Sequence, residues 1–87
     1  MVTADVPAPD ATELEAARSR LGLSVSQVWI AYFAIGGNAR QRDVESWLSG
    51  ATYAPDREHD LLAVALNEEL AARGLDRMVP YRNDVRP

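Results

Sequence analysis

Eight consecutive residues, 28–35, read Val-Trp-Ile-Ala-Tyr-Phe-Ala-Ile, all of them aliphatic or aromatic. Periodicity alone does not separate a buried strand from a buried helix in such a run. The flanks decide. Ser24 and Gln27 stand at the S-x-x-Q spacing of a capping box, Leu23 and Val28 occupy the staple positions on either side of it, and Gly36-Gly37 closes the run. This combination predicts a helix over residues 25–35. A helix that is apolar on every side has to be surrounded, so this one is expected at the centre of the domain with the other helices packed round it.

Three further helices follow from local signals. Asp10 and Glu13 form a box-like start, Leu14, Ala17 and Leu21 fall on one face, and Gly22 is the stop, which predicts a helix over 11–21. After Gly36-Gly37, Asn38 is the expected cap of a third helix, with Gln41 at the box position. Val44, Trp47 and Leu48 give its apolar stripe, Gly50 ends it, and Arg40, Arg42, Asp43, Glu45 and Ser46 make its exposed face. Residues 51–56 read as a loop carrying Tyr53 and Pro55. The fourth helix runs from Pro55 or Asp56 to Arg73, with Asp56, Glu58 and Asp60 near its start and Arg73 at its end, the favourable sense for the helix dipole. Leu62, Ala65, Leu66 and Leu70 are its core residues, and Gly74-Leu75 has the form of a Schellman stop. Neither a strand pattern nor an internal repeat occurs. The expectation is an all-α, compact four-helix domain over 10–79. A disordered leader, 1–9, precedes it and a polar tail, 80–87, follows it; the stretch from Asp76 has apolar anchors in Met78, Val79 and Tyr81.

Composition narrows the function classes. Eighty-seven residues make one domain, too small for separate cofactor and substrate lobes. The absence of cysteine removes disulfides, thiolate metal sites and a cysteine nucleophile. The eight-residue run is far short of the ~20 residues that span a bilayer, and the first residues carry no secretion signal. All nine basic residues are arginine, scattered along the chain. Together with the many alanines, that is the style of a GC-rich bacterial genome, and the expected location is a bacterial cytoplasm. The net charge of −4 is spread evenly over the two halves, so neither half is a basic arm for nucleic acid.

Groups that could do chemistry are few. His59, the only histidine, lies between Glu58 and Asp60 and is read as a surface histidine held by its carboxylate neighbours. A general base or metal ligand there is the outside alternative. Gly36-Gly37 lacks the lysine of a phosphate-binding loop and follows a helix instead of a strand. No serine stands in a nucleophile motif. Neither an enzyme nor a cofactor is expected.

Two binding readings remain. Trp29, Tyr32, Phe33 and Trp47 are interface-type aromatics, although core packing is the commoner place for such residues. Trp29 and Phe33 mark one face of the second helix, and Val28, Tyr32 and Ile35 another. The central helix also has more apolar surface than a small domain covers easily, which points to a partner protein or a second copy of the chain. The stretch Asn67-Glu68-Glu69 would form a polar rim to that contact. The alternative is a helix-turn-helix DNA binder using residues 39–49, with Asn38 in the left-handed turn position and Arg40, Gln41, Arg42 and Ser46 presented to the groove. Asp43, Glu45 and the acidic whole weigh against it. The favoured expectation is a small non-catalytic interaction or regulatory module, alone or as a homodimer.

If the second helix is surrounded, Trp29→Ala and Phe33→Ala should each cost about 3–5 kcal/mol. Ser24→Ala should cost about 0.5–2 kcal/mol through the lost cap, read as a lower urea midpoint at unchanged slope.

Overall fold

Four helices make up the described part of the chain, residues 9–76 and 79–82 of a computed structural model: α1 (Pro9–Leu21), α2 (Val25–Ala34), α3 (Gln41–Ser49) and α4 (Asp56–Ala72). All four end alike. The amide of Leu23 donates to the carbonyl of Arg18 (3.2 Å), that of Gly37 to Tyr32 (3.0 Å), that of Ala51 to Ser46 (2.9 Å) and that of Leu75 to Leu70 (2.8 Å). This is the long hydrogen bond of a Schellman stop. The residue before each of these donors is a glycine with positive φ: Gly22, Gly36, Gly50 and Gly74. The glycine stops expected from the sequence are therefore all in place.

The starts are more varied. At α2 both halves of the capping box form: the Gln27 amide donates to Ser24 Oγ (3.1 Å) and the Ser24 amide to Gln27 Oε1 (2.8 Å). At α3 the expected Asn38–Gln41 box does not form. The helix begins at Gln41, Arg40 is the cap residue, and Asp43 accepts the Arg40 amide (3.2 Å). Tertiary bonds set this later start. The indole of Trp29 donates to the Ala39 carbonyl (2.9 Å), and the Ala39 amide donates to the Tyr32 hydroxyl (3.0 Å), so residue 39 is committed outside the helix. α1 begins at Pro9, slightly before the expected start, where a missing amide proton costs a helix nothing.

α1 and α2 each pack against both α3 and α4. The stripes meet as their spacing predicts: Leu14, Ala17 and Leu21 from α1, Val44, Trp47 and Leu48 from α3, and Leu62, Leu66 and Leu70 from α4 are all buried. Arginines tie the end of α1 down. Arg18 donates to the Leu23 carbonyl (2.6 Å), and Arg73 reaches from the end of α4 to the Leu21 carbonyl (2.9 Å).

The expected buried central second helix is corrected. Val28 and Tyr32 are the buried residues of α2, whereas Ile30 is 58% and Phe33 56% exposed and Trp29 is half-buried. The enclosed helix is α4, which buries His59, Leu62, Ala63, Ala65, Leu66, Asn67 and Leu70. α4 is covered on a second side because residues 79–82 return along it, with Val79 1% exposed and Tyr81 packed against the core. α2 has no such cover among the described residues. Of the expected leader, residues 1–8 lie outside the described part, as do Met78 and residues 83–87 of the tail.

These positions revise the cost of truncation. Phe33→Ala should destabilise by about 1 kcal/mol or less, as an exposed position does, while Leu66→Ala on α4 should cost about 2–5 kcal/mol. Urea unfolding of the two variants side by side checks the difference.

Candidate partner-binding surface

The four aromatic residues separate into two pairs. Tyr32 and Trp47 meet edge to face in the core, ring centroids 6.4 Å apart, with Tyr32 0% and Trp47 8% exposed. They are out of reach of any partner. Trp29 and Phe33, one turn apart on α2, stack on the outside with centroids 5.3 Å apart and planes 29° from parallel. Ile30 lies beside them and Ala34 is exposed at the helix end. Helical spacing puts Trp29 and Phe33 on one face and Val28 and Tyr32 on another, but with 28–35 apolar throughout it cannot say which face is buried. That choice is made by α3 and α4, which cover the Val28–Tyr32 side.

Behind that surface the Tyr32 hydroxyl holds the next loop. It donates to Glu58 Oε1 (2.5 Å) and accepts the Ala39 amide (3.0 Å). The other Glu58 oxygen takes Arg57 Nη1 (3.0 Å), and Arg57 Nη2 donates to the Gly36 carbonyl (3.2 Å). Residues 36–39 are thus clamped onto the first turn of α4 from both ends. Gly37 sits directly against the tyrosine ring. A β-carbon there would fall 2.3 Å from the ring's Cζ, so glycine is required by contact rather than by backbone angle. Nothing in the local sequence marks Glu58 or Arg57 for this role, since they meet Tyr32 and Gly36 across 26 and 21 residues.

The second candidate group lies on α3. Arg40, Gln41 and Arg42 are exposed and Ser46 is half-buried. Arg40 lies 3.9 Å from Asp43, and Ser26 Oγ contacts Gln41 Oε1 at 3.4 Å. The linker between α2 and α3 has six residues, 35–40, longer than the three or four of a helix-turn-helix. Asn38 does not take the left-handed position, which belongs to Gly36. Counted from Gly36, the residue four earlier is the large Tyr32, and those six and nine later are the exposed Arg42 and Glu45. The small and core-facing residues that a helix-turn-helix needs there are missing, so the expected register is corrected.

His59 is likewise relocated. It is 1% exposed, not a surface side chain, with Nδ1 3.1 Å from Asp60 Oδ1. Among the described residues no group of three or more histidine, aspartate or glutamate side chains is placed to hold a metal ion. No described helix is long and apolar enough to cross a membrane. Asn67, expected on a polar rim, is 5% exposed and faces the returning chain. No protein-family model, curated protein or solved structure matches the chain.

Burial first, and then the Glu58 carboxylate, hold the Tyr32 hydroxyl above the usual tyrosine value of 10.0. The folded chain therefore keeps this proton to higher pH than the unfolded chain does. The stabilisation is complete below pH 10 and is lost as pH rises through the folded value. Tyr32→Phe should cost about 1–3 kcal/mol at neutral pH, by taking their shared hydroxyl from the Ala39 amide and from Glu58 Oε1. It should also remove Tyr32's share of the alkaline loss, measured by urea midpoints across the alkaline range.

Proposed function

We propose that this domain is a non-catalytic protein–protein interaction or regulatory module that meets its partner through the outer face of α2. The observation that carries the reading is the solvent position of Ile30 and Phe33, both more than half exposed, beside the stacked Trp29. Large apolar side chains gathered on one exposed face are the usual mark of a contact surface, and tryptophan is the commonest anchor in such surfaces.

A second copy of the chain fits this face. α2 contains no charged residue from Val25 to Ala34, so two copies crossing antiparallel bring no like charges together and oppose their helix dipoles. The contact is self-complementary, as a two-fold dimer requires. Three large side chains amount to roughly a few hundred Å² per copy, below the ~800 Å² per partner of a stable interface. Self-association through this face alone is therefore weak and concentration-dependent. The bacterial cytoplasm as its setting rests on composition: arginine as the sole basic residue and no cysteine.

Sedimentation equilibrium over a range of concentrations tests the reading. The unaltered chain should show a rising average mass. The double variant Ile30→Asp, Phe33→Asp should stay monomeric, with a urea midpoint changed by no more than the ~0.5 kcal/mol expected of surface positions. A chain that stays monomeric throughout removes the dimer. Low-salt affinity for duplex DNA that falls with Arg40→Ala plus Arg42→Ala would replace the whole reading with the DNA-binding one.

A further inference from the structure

α4 carries a second, separate feature on the side away from α2. Asp56, Asp60, Ala63 and Asn67 recur at i, i+4, i+7 and i+11, one continuous face of a helix, and residues 79–82 run along it. Asn67 grips the backbone of this strap twice: its Nδ2 donates to the Val79 carbonyl (2.9 Å), and its Oδ1 accepts the Val79 amide (3.2 Å). Two turns earlier on α4, Asp60 Oδ1 accepts the Arg82 amide (2.8 Å). Between Asn67 and Asp60 stands Ala63, fully buried and small enough to let a backbone lie close.

The two grips match an extended chain in length. Seven residues of helix rise about 10.5 Å, and three residues of extended chain cover about 10 Å. Both grips act on main-chain groups, so they read the path of a peptide without reading its sequence. Side-chain selection comes from what lies between and beyond them. Val79 is 1% exposed and Tyr81 packs against the core, with its hydroxyl 3.5 Å from Asn67 Nδ2. Arg82 enters an acidic end site: its guanidinium donates to the Ala54 carbonyl, pairs with Asp56 at 3.1 Å, and lies 3.9 Å over the centre of the Tyr53 ring. Pro80 is exposed and chooses nothing.

We propose that this face of α4 is a binding groove for an extended peptide of the form aliphatic–any–aromatic–arginine. Residues 79–82 occupy it in cis, and a segment of that kind on another protein displaces them. The strap is then an autoinhibitory contact. As a tethered ligand it competes at an effective concentration of order millimolar, so an outside peptide gains access when the strap is weakened or when its own affinity is higher. The groove shares no residue with the exposed face of α2.

The test uses a blocked tetrapeptide, Val-Pro-Tyr-Arg, added to the full-length chain carrying Val79→Asp, which unseats the strap. The side-chain amide signals of Asn67 are followed by NMR. These signals should shift saturably, binding to the unaltered chain should be at least about tenfold weaker, and the same peptide with glutamate in place of arginine should not bind. Absence of any shift in the folded variant, or equal response to the arginine and glutamate peptides, overturns the proposal. Should Val79→Asp prevent folding, Arg82→Ala releases the other end and takes its place in the titration. Hydrogen exchange on the unaltered chain gives a second reading. The Val79 amide should exchange through a local opening, faster than the amides of Leu66 and Leu70. Exchange of Val79 only through global unfolding overturns the proposal as well.

Discussion

The hydroxyl of Tyr32 is where the separate parts of this domain are joined. Its ring fills the space between α2 and Trp47, rests on Gly37, and is fully buried. A buried hydroxyl must find partners or cost stability. It finds one in the Ala39 amide at the end of the α2–α3 linker and one in Glu58 at the start of α4. The placement of three helices follows from that pair of bonds. The linker closes, α3 starts at Gln41 instead of after Asn38, and the beginning of α4 is drawn against the end of α2. Arg57, bridging Glu58 to the Gly36 carbonyl, reinforces the same closure.

Burial is consequently uneven between α2 and α4, which pack against each other. α4 is enclosed, by helices on one side and by residues 79–82 on another, whereas α2 buries fully only Val28 and Tyr32, with Val25 and Trp29 partly covered beside them. Apolar area is roughly proportional to the free energy gained on removing it from water. Trp29, Ile30 and Phe33 therefore retain a driving force for association that Tyr32 and Trp47 have already spent on folding. The helix that looks most buried by composition is the one left available for a partner.

The local elements were largely legible in the sequence. The Ser24–Gln27 box, the four glycine stops and the apolar stripes of α1, α3 and α4 each depend on residues within one or two turns of each other. The Asn38 cap failed where a local signal met a tertiary competitor, since the bonds from Trp29 and Tyr32 to residue 39 outweigh a single capping bond. At the candidate surface, helical spacing sets Trp29 and Phe33 on a different face of α2 from Val28 and Tyr32, but it does not say which of two apolar faces a neighbour covers. Asn67 and His59 read as surface groups because polar residues usually are. The burial of Asn67 depends on a returning chain, which it meets at Val79 across 12 residues.

By itself, then, the sequence determined that the chain is helical, where each helix stops, and which apolar stripes of α1, α3 and α4 face inward. These outcomes are set by hydrogen bonds and side-chain spacing inside a few turns of backbone. Tertiary structure alone decided which side of α2 stays in solvent and which helix is enclosed. A run such as 28–35 offers the same apolar surface in every direction, so no spacing within it can favour one side. The choice belongs to partners outside the run: the Ala39 amide and Glu58, which meet the Tyr32 hydroxyl, decide the side of α2 that is covered, and the returning chain held by Asn67 encloses α4.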